Sequence, residues 1–179
     1  MRIVTLTEET KKDILENLLK RSPNQYGTFE AAVGEIVAAV KEKGDQALLA
    51  YTEKFDHARL DQATVQVTEE EIREAYTLVD EKLTEVIRKA LVNIRDYHER
   101  HKQNSWFHTT EKGTLLGQKV TPMARVGVYV PGGKAVYPSS VLMNILPAKV
   151  AGVSEIIMAT PCDAQGKVNP AVLVSAQEA

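Results

Sequence analysis

His98 and His101, three residues apart around Glu99, form the first pair in this sequence with metal-ligand chemistry. Helical spacing brings them toward one face, but a zinc site needs three or four donors and no third stands at a matching spacing. The plainer reading is one solvated and one half-buried histidine on a charged helix. The run Glu69-Glu70-Glu71 reads as a helix start rather than a catalytic carboxylate pair. Thr68 and Glu71 fit a capping box, and negative charge is favoured at a helix N-terminus. Cys162, the one cysteine, excludes an internal disulfide and a cysteine-rich zinc module. Placed after a strand and Pro161, it reads as a buried or half-buried thiol, not a nucleophile.

The richest stretch is Arg125-Val126-Gly127-Val128-Tyr129-Val130, which runs into Pro131-Gly132-Gly133 and then a helical segment from Ser139. A short β-branched strand buried on both faces, a glycine turn and a helix start together hold phosphorylated ligands in many α/β proteins. Glycine lets a ligand approach the backbone, and the helix start offers unpaired N–H donors. The turn has neither the GxGxxG pattern nor the Lys-Ser/Thr of a phosphate-binding loop. Two readings therefore stay open: a nucleotide-like ligand at the C-terminal end of strand 125–130, or an ordinary strand–helix turn.

The elements around these residues follow from periodicity and punctuation. Thr7 caps a helix with Ile14, Leu15, Leu18 and Leu19 that ends near Ser22-Pro23. A second helix starts near Thr28, carries Ala32, Val33, Ile36, Val37 and Val40 along one face, and stops at Gly44. Asp45 caps the next, which carries Leu48, Leu49, Thr52 and Phe55. Residues 64–67 alternate as a short strand. A long helix over 80–102 presents Leu83, Val86, Ile87, Ala90, Leu91, Ile94 and Tyr97 as one apolar stripe, a core or partner-facing surface. Glycines and threonines then mark a hairpin around Leu115-Leu116 and Lys119-Val120. Thr121-Pro122 sets a domain boundary. Beyond it come strand 125–130, helix 139–152, strand 155–160 and a helix from Pro170 with Asn169 as its cap, a βαβα order that implies parallel strands.

Composition narrows the function classes. The chain has 179 residues, 44% of them hydrophobic and 26% charged, with a net charge of −2. That charge gives no broad attraction to DNA, RNA or an anionic membrane. No apolar run reaches the roughly 18 residues a membrane span needs, and the N-terminus lacks a signal-peptide core. The expected location is the cytoplasm, with neither nucleic acid nor membrane as partner. The strand at Arg125 begins 55 residues before the C-terminus, and the last helix carries no stop signal, so both domains are expected to be incomplete.

The block from Val126 through Gly133, continuing through Tyr137-Pro138-Ser139-Ser140-Val141-Leu142-Met143-Asn144 to Pro147–Val153, resembles the signature of histidinol dehydrogenases. The segments Val40–Leu48, Tyr51–Asp56 and Ala90–His98 resemble that family's N-terminal motifs in the same order, so the resemblance covers nearly the whole chain.

The resemblance implies a zinc- and NAD-dependent enzyme of histidine biosynthesis that oxidises L-histidinol to L-histidine with two NAD. It also implies a homodimer with two Rossmann-like α/β domains. Residues 1–122 would be the mostly helical N-terminal part of the first, and residues 123–179 the opening of the second. The family's zinc ligands and its Glu-His acid–base pair would lie downstream of Ala179, so no catalytic or metal residue is assigned here. Of the NAD contacts, the tyrosine of the family's turn motif falls on Tyr129, with Pro131 and Gly132 beside it. The chain by itself is expected to be inactive. Two other readings stand beside this one: a non-catalytic helical interaction module, and a different nucleotide-binding α/β enzyme.

Overall fold

The computed structural model describes residues 5, 7–19, 27–132 and 135–179. The chain divides into two compact units, residues 1–51 and 52–179.

In the first unit, helix α1 (Glu8–Leu19) begins at the expected cap, with Thr7 Oγ1 accepting the Thr10 N–H at 3.2 Å. Its expected end near Ser22-Pro23 lies outside the described residues. Helix α2 (Gly27–Lys43) stops at Gly44, whose φ of 56° favours glycine. Helix α3 (Asp45–Asp56) follows at once. The Gly44 carbonyl accepts the N–H groups of Ala47 and Leu48, so Gly44 takes the cap position expected for Asp45. Asp45 sits in the first turn, where its charge suits the positive helix end.

The second unit opens with a correction. Residues 64–67 form no strand. Asp61 Oδ1 accepts the N–H groups of Ala63 and Thr64, both at 2.9 Å, and the Thr64 hydroxyl at 2.8 Å. A turn closed by a side chain leaves the backbone no ladder to join. Helix α4 (Glu69–Leu78) starts in the expected capping box: Thr68 Oγ1 accepts the Glu71 N–H, and Glu71 accepts the Thr68 N–H. Helix α5 (Glu81–His101) is capped by Asp80 and ends at Lys102, as read. Its stripe is only partly buried. Ile87 is core and Ala90, Leu91 and Ile94 pack against the core, whereas Leu83, Val86 and Tyr97 stay exposed.

The hairpin pairs β1 (Trp106–Thr109) with β2 (Leu115–Gln118). Lys119-Val120 falls beyond it, and Val120 instead donates to Ser105 Oγ at 2.9 Å. The strand at Trp106 lacked the alternation that would have marked it. Strands β3 (Arg125–Tyr129) and β4 (Glu155–Ala159) then pair in parallel, with Arg125 opposite Glu155 and Tyr129 opposite Ala159. Helix α6 (Pro138–Ala151) connects them and ends at Gly152 with φ 91°. Helix α7 (Pro170–Glu178) starts with Asn169 Oδ1 accepting the Ala171 N–H at 3.0 Å.

The core gathers Val141, Leu142, Ile145 and Leu146 of α6 and Val172, Leu173 and Val174 of α7 with Ala75, Ile87 and Val130. Helices α4 and α5 pack outside α6 and α7. Val128, Ile156 and Met158 turn toward this core. The expected burial of strand 125–130 on both faces does not hold. Tyr129 and Ile157 are 63% and 51% exposed, because among the described residues the helices packed on the strand pair lie on its other face.

Candidate functional site

The chain leaves β3 at a tightly built corner. Val130 is fully buried and its N–H reaches Ala159 O at 2.9 Å, carrying the pairing one residue further. Pro131 and Gly132 then emerge exposed. Gly132 lies against Pro161, and a Cβ there would meet Pro161 Cδ at 3.4 Å. Tyr129 stands on the uncovered face, and its carbonyl accepts from Asn144 Nδ2 at 3.4 Å. Tyr129, Pro131 and Gly132 thus cluster at the C-terminal end of β3, while Gly133 lies outside the described residues.

A cleft of about 440 Å³ opens beyond the ends of β3 and β4. Gly132 lines it, together with Pro161, Cys162 and Asp163 after β4; Tyr129 and Pro131 do not. Helix α4 supplies the far wall through Glu71, Glu74 and Leu78. Lys167 bridges to Glu71 at 2.9 Å. That hydrogen bond, with the Thr68 N–H, holds the Glu71 carboxyl below its usual range and raises the Lys167 ammonium in turn. Asp163 Oδ1 accepts the N–H groups of Gln165 and Lys167 at 2.9 and 2.8 Å. Burial, then the charges of Asp56 and Asp163, push the Cys162 thiol up, which disfavours its thiolate.

Of the cofactor contacts expected from the sequence only Gly132 lines this cleft; Glu74 and Leu78 of the α4 wall, Asp163 and Lys167 were not among them. The one available signal was an aspartate four residues beyond the end of the second parallel strand.

The histidine pair behaves as its plainer reading held: His98 is half-buried and His101 exposed, its ring 4.3 Å from that of Tyr97. They border a separate cavity of about 610 Å³ with Ser105 and Pro147. Among the described residues, no three His, Cys, Asp or Glu side chains stand together as metal donors. The donors present therefore do not fit zinc. No helix among these residues is long and apolar enough to cross a membrane.

Comparison with known proteins converges on one family. The histidinol dehydrogenase profile matches residues 19–179. Histidinol dehydrogenase of Bacillus subtilis is 53% identical over 162 residues, covering 89% of this chain and 37% of that protein. Its counterpart in Geobacillus kaustophilus is 52% identical over 156 residues, covering 86% and 36% respectively. The crystal structure of histidinol dehydrogenase from Elizabethkingia anophelis superposes with a TM-score of 0.74 at 32% identity, covering 99% of this chain and 36% of that one. The chain spans little more than a third of the length of these relatives. With the profile matched from residue 19 to residue 179, this chain belongs to the histidinol dehydrogenase family.

Proposed function

We propose that this chain is the N-terminal portion of an NAD-dependent enzyme that oxidises L-histidinol to L-histidine. The observation that carries the reading is the Tyr-Val-Pro-Gly corner at the C-terminal end of β3, beside the end of its parallel neighbour, in a chain of this family. Open α/β sheets bind ligands at that edge. NAD, when bound, accepts the hydride that leaves the substrate carbon. Tyr129 offers a flat apolar ring and a hydroxyl able to bond ribose or phosphate oxygens. Gly132, without a side chain, lets the dinucleotide approach the backbone. Pro131 fixes the direction in which the chain leaves the strand.

In this reading residues 1–122 belong to a first Rossmann-like domain and residues 123–179 open a second. The zinc donors and the acid–base pair come from family sequence not included in these 179 residues, and the working enzyme is a cytoplasmic homodimer. The test joins this chain to the remaining part of the Bacillus subtilis relative and introduces it into a histidine-requiring strain lacking its own histidinol dehydrogenase. Growth without histidine is the expected result. A soluble, folded joined protein that leaves the strain dependent on histidine refutes the proposal.

A further inference from the structure

The cavity beside His98 and His101 lies away from the Tyr129 corner, and the NAD reading gives it no role. We infer that it is a second ligand site for a phosphomonoester, with the phosphate on His98, His101 and Lys102 and the organic group against α6.

Position comes first. Pro122 stands three residues before β3 and Ala151 four before β4, and both line the cavity. It therefore opens at the N-terminal ends of these parallel strands, whereas the Tyr129 corner stands at the C-terminal end of β3. Its volume of about 610 Å³ falls well inside the range of small-molecule sites, about 300–1,000 Å³. Residues three and four apart share a helix face, so α5 and its cap bring His98, His101 and Lys102 to one wall. Pro122, Pro147 and Val150 make the other wall apolar.

Charge comes second. Among the described residues no aspartate or glutamate lines the cavity. On α5 itself, Asp96 is held by Arg100 at 3.0 and 3.1 Å, and Glu99 does not line it. Carbonyls at a helix C-terminus oppose an anion, but here two of them are already answered. Tyr97 O accepts from His101 Nδ1 at 2.9 Å, and Glu99 O accepts the Lys102 N–H. A carbonyl can only accept, so the His101 proton sits on Nδ1 and Nε2 is left for a ligand. Among the described residues the side chains of half-buried His98 and of Lys102, Gln103 and Asn104 make no hydrogen bond or ion pair. A phosphate group suits this set. Its oxygens accept from the ammonium and the amides, and as a monoanion its hydroxyl donates to an imidazole nitrogen. An ionised carboxylate has no such donor.

The histidines make the test site-specific, because His57 and His108 lie outside the cavity. Their ring protons can be followed by NMR in the 179-residue chain at fixed pH and ionic strength. Phenyl phosphate should shift His98 and His101 saturably and leave His57 and His108 in place. Benzoate, with the same ring and no donor, should bind at least tenfold more weakly. Lys102→Met should weaken phenyl phosphate at least tenfold. Lys112→Met, the same change in the hairpin turn outside the cavity, should leave its affinity unchanged, as should saturating NAD. Competition by NAD would put the phosphate at the Tyr129 corner and overturn the inference. So would no saturable shift, equal shifts at all four histidines, benzoate as strong as phenyl phosphate, or an unchanged affinity in Lys102→Met. None of these outcomes depends on whether the joined enzyme oxidises histidinol.

Discussion

Arg88 grips Glu178 with both arms of its guanidinium, Nε to Oε2 at 2.9 Å and Nη2 to Oε1 at 2.7 Å. The contact ties α5 to the last turn of α7, and the Tyr76 hydroxyl of α4 donates to the same carboxylate at 2.9 Å. Three helices thus meet on one side chain that is only 15% exposed. Glu178→Gln keeps the shape and loses the charge. It should cost about 1 kcal/mol in denaturant unfolding, because solvent screens the exposed Arg88 side of the pair.

The same network sets a pH dependence. Arg88 first, then Tyr76, holds the Glu178 carboxyl below its usual range. Its stabilisation is complete above the ordinary carboxylate pKa and is lost as pH falls through the lowered value. Burial, then the bond to Glu178, pushes Tyr76 up to about 12. That contribution is complete below the ordinary tyrosine value near 10 and is lost as pH rises toward 12. Thermal melts of Tyr76→Phe should show a smaller loss of stability over that alkaline interval. An unchanged alkaline profile would contradict the assignment.

Packing predicts a contrast within α6. Leu146 is fully buried and Met143 is 60% exposed. Leu146→Ala should lower stability by about 2–5 kcal/mol. Met143→Ala should stay within about 0.5 kcal/mol. Urea midpoints of the two variants check this directly.

The β3 corner predicts effects on binding without effects on folding. Tyr129 is exposed, and Gly132 has room for a methyl group at ordinary contact distance. In the joined enzyme, Tyr129→Phe should raise KM for NAD about fivefold, the worth of one hydrogen bond of about 1 kcal/mol. Tyr129→Ala and Gly132→Ala should raise it further, with melting temperature and zinc content unchanged. A lowered melting temperature with intact NAD kinetics would make these residues structural.

The unaccompanied 179-residue chain should neither oxidise histidinol nor hold stoichiometric zinc, since its described residues assemble no metal donor set. Metal analysis after dialysis against zinc, with NADH formation followed in parallel, checks both.

Local chemistry was legible in the sequence wherever a few neighbouring residues decide the outcome. The Thr68–Glu71 capping box, the Gly44 stop and the Asn169 cap all involve partners within four residues. Alternation over 64–67 misled because the Asp61 turn satisfies that backbone locally, and four residues cannot outweigh it. Periodicity along α5 identified residues sharing a face, but the breadth of α6 and α7 decides that Ile87 is covered and Val86 is not. The cleft was out of reach for a similar reason. Its Glu71–Lys167 bridge joins residues 96 apart, and only the docking of α4 against α7 brings them together.

The most direct test of the account is the ratio of NADH formed to L-histidinol consumed by the joined enzyme, with zinc bound. The account predicts two NADH for each histidinol and histidine as the product. A folded, zinc-loaded protein that forms no NADH from histidinol would contradict it.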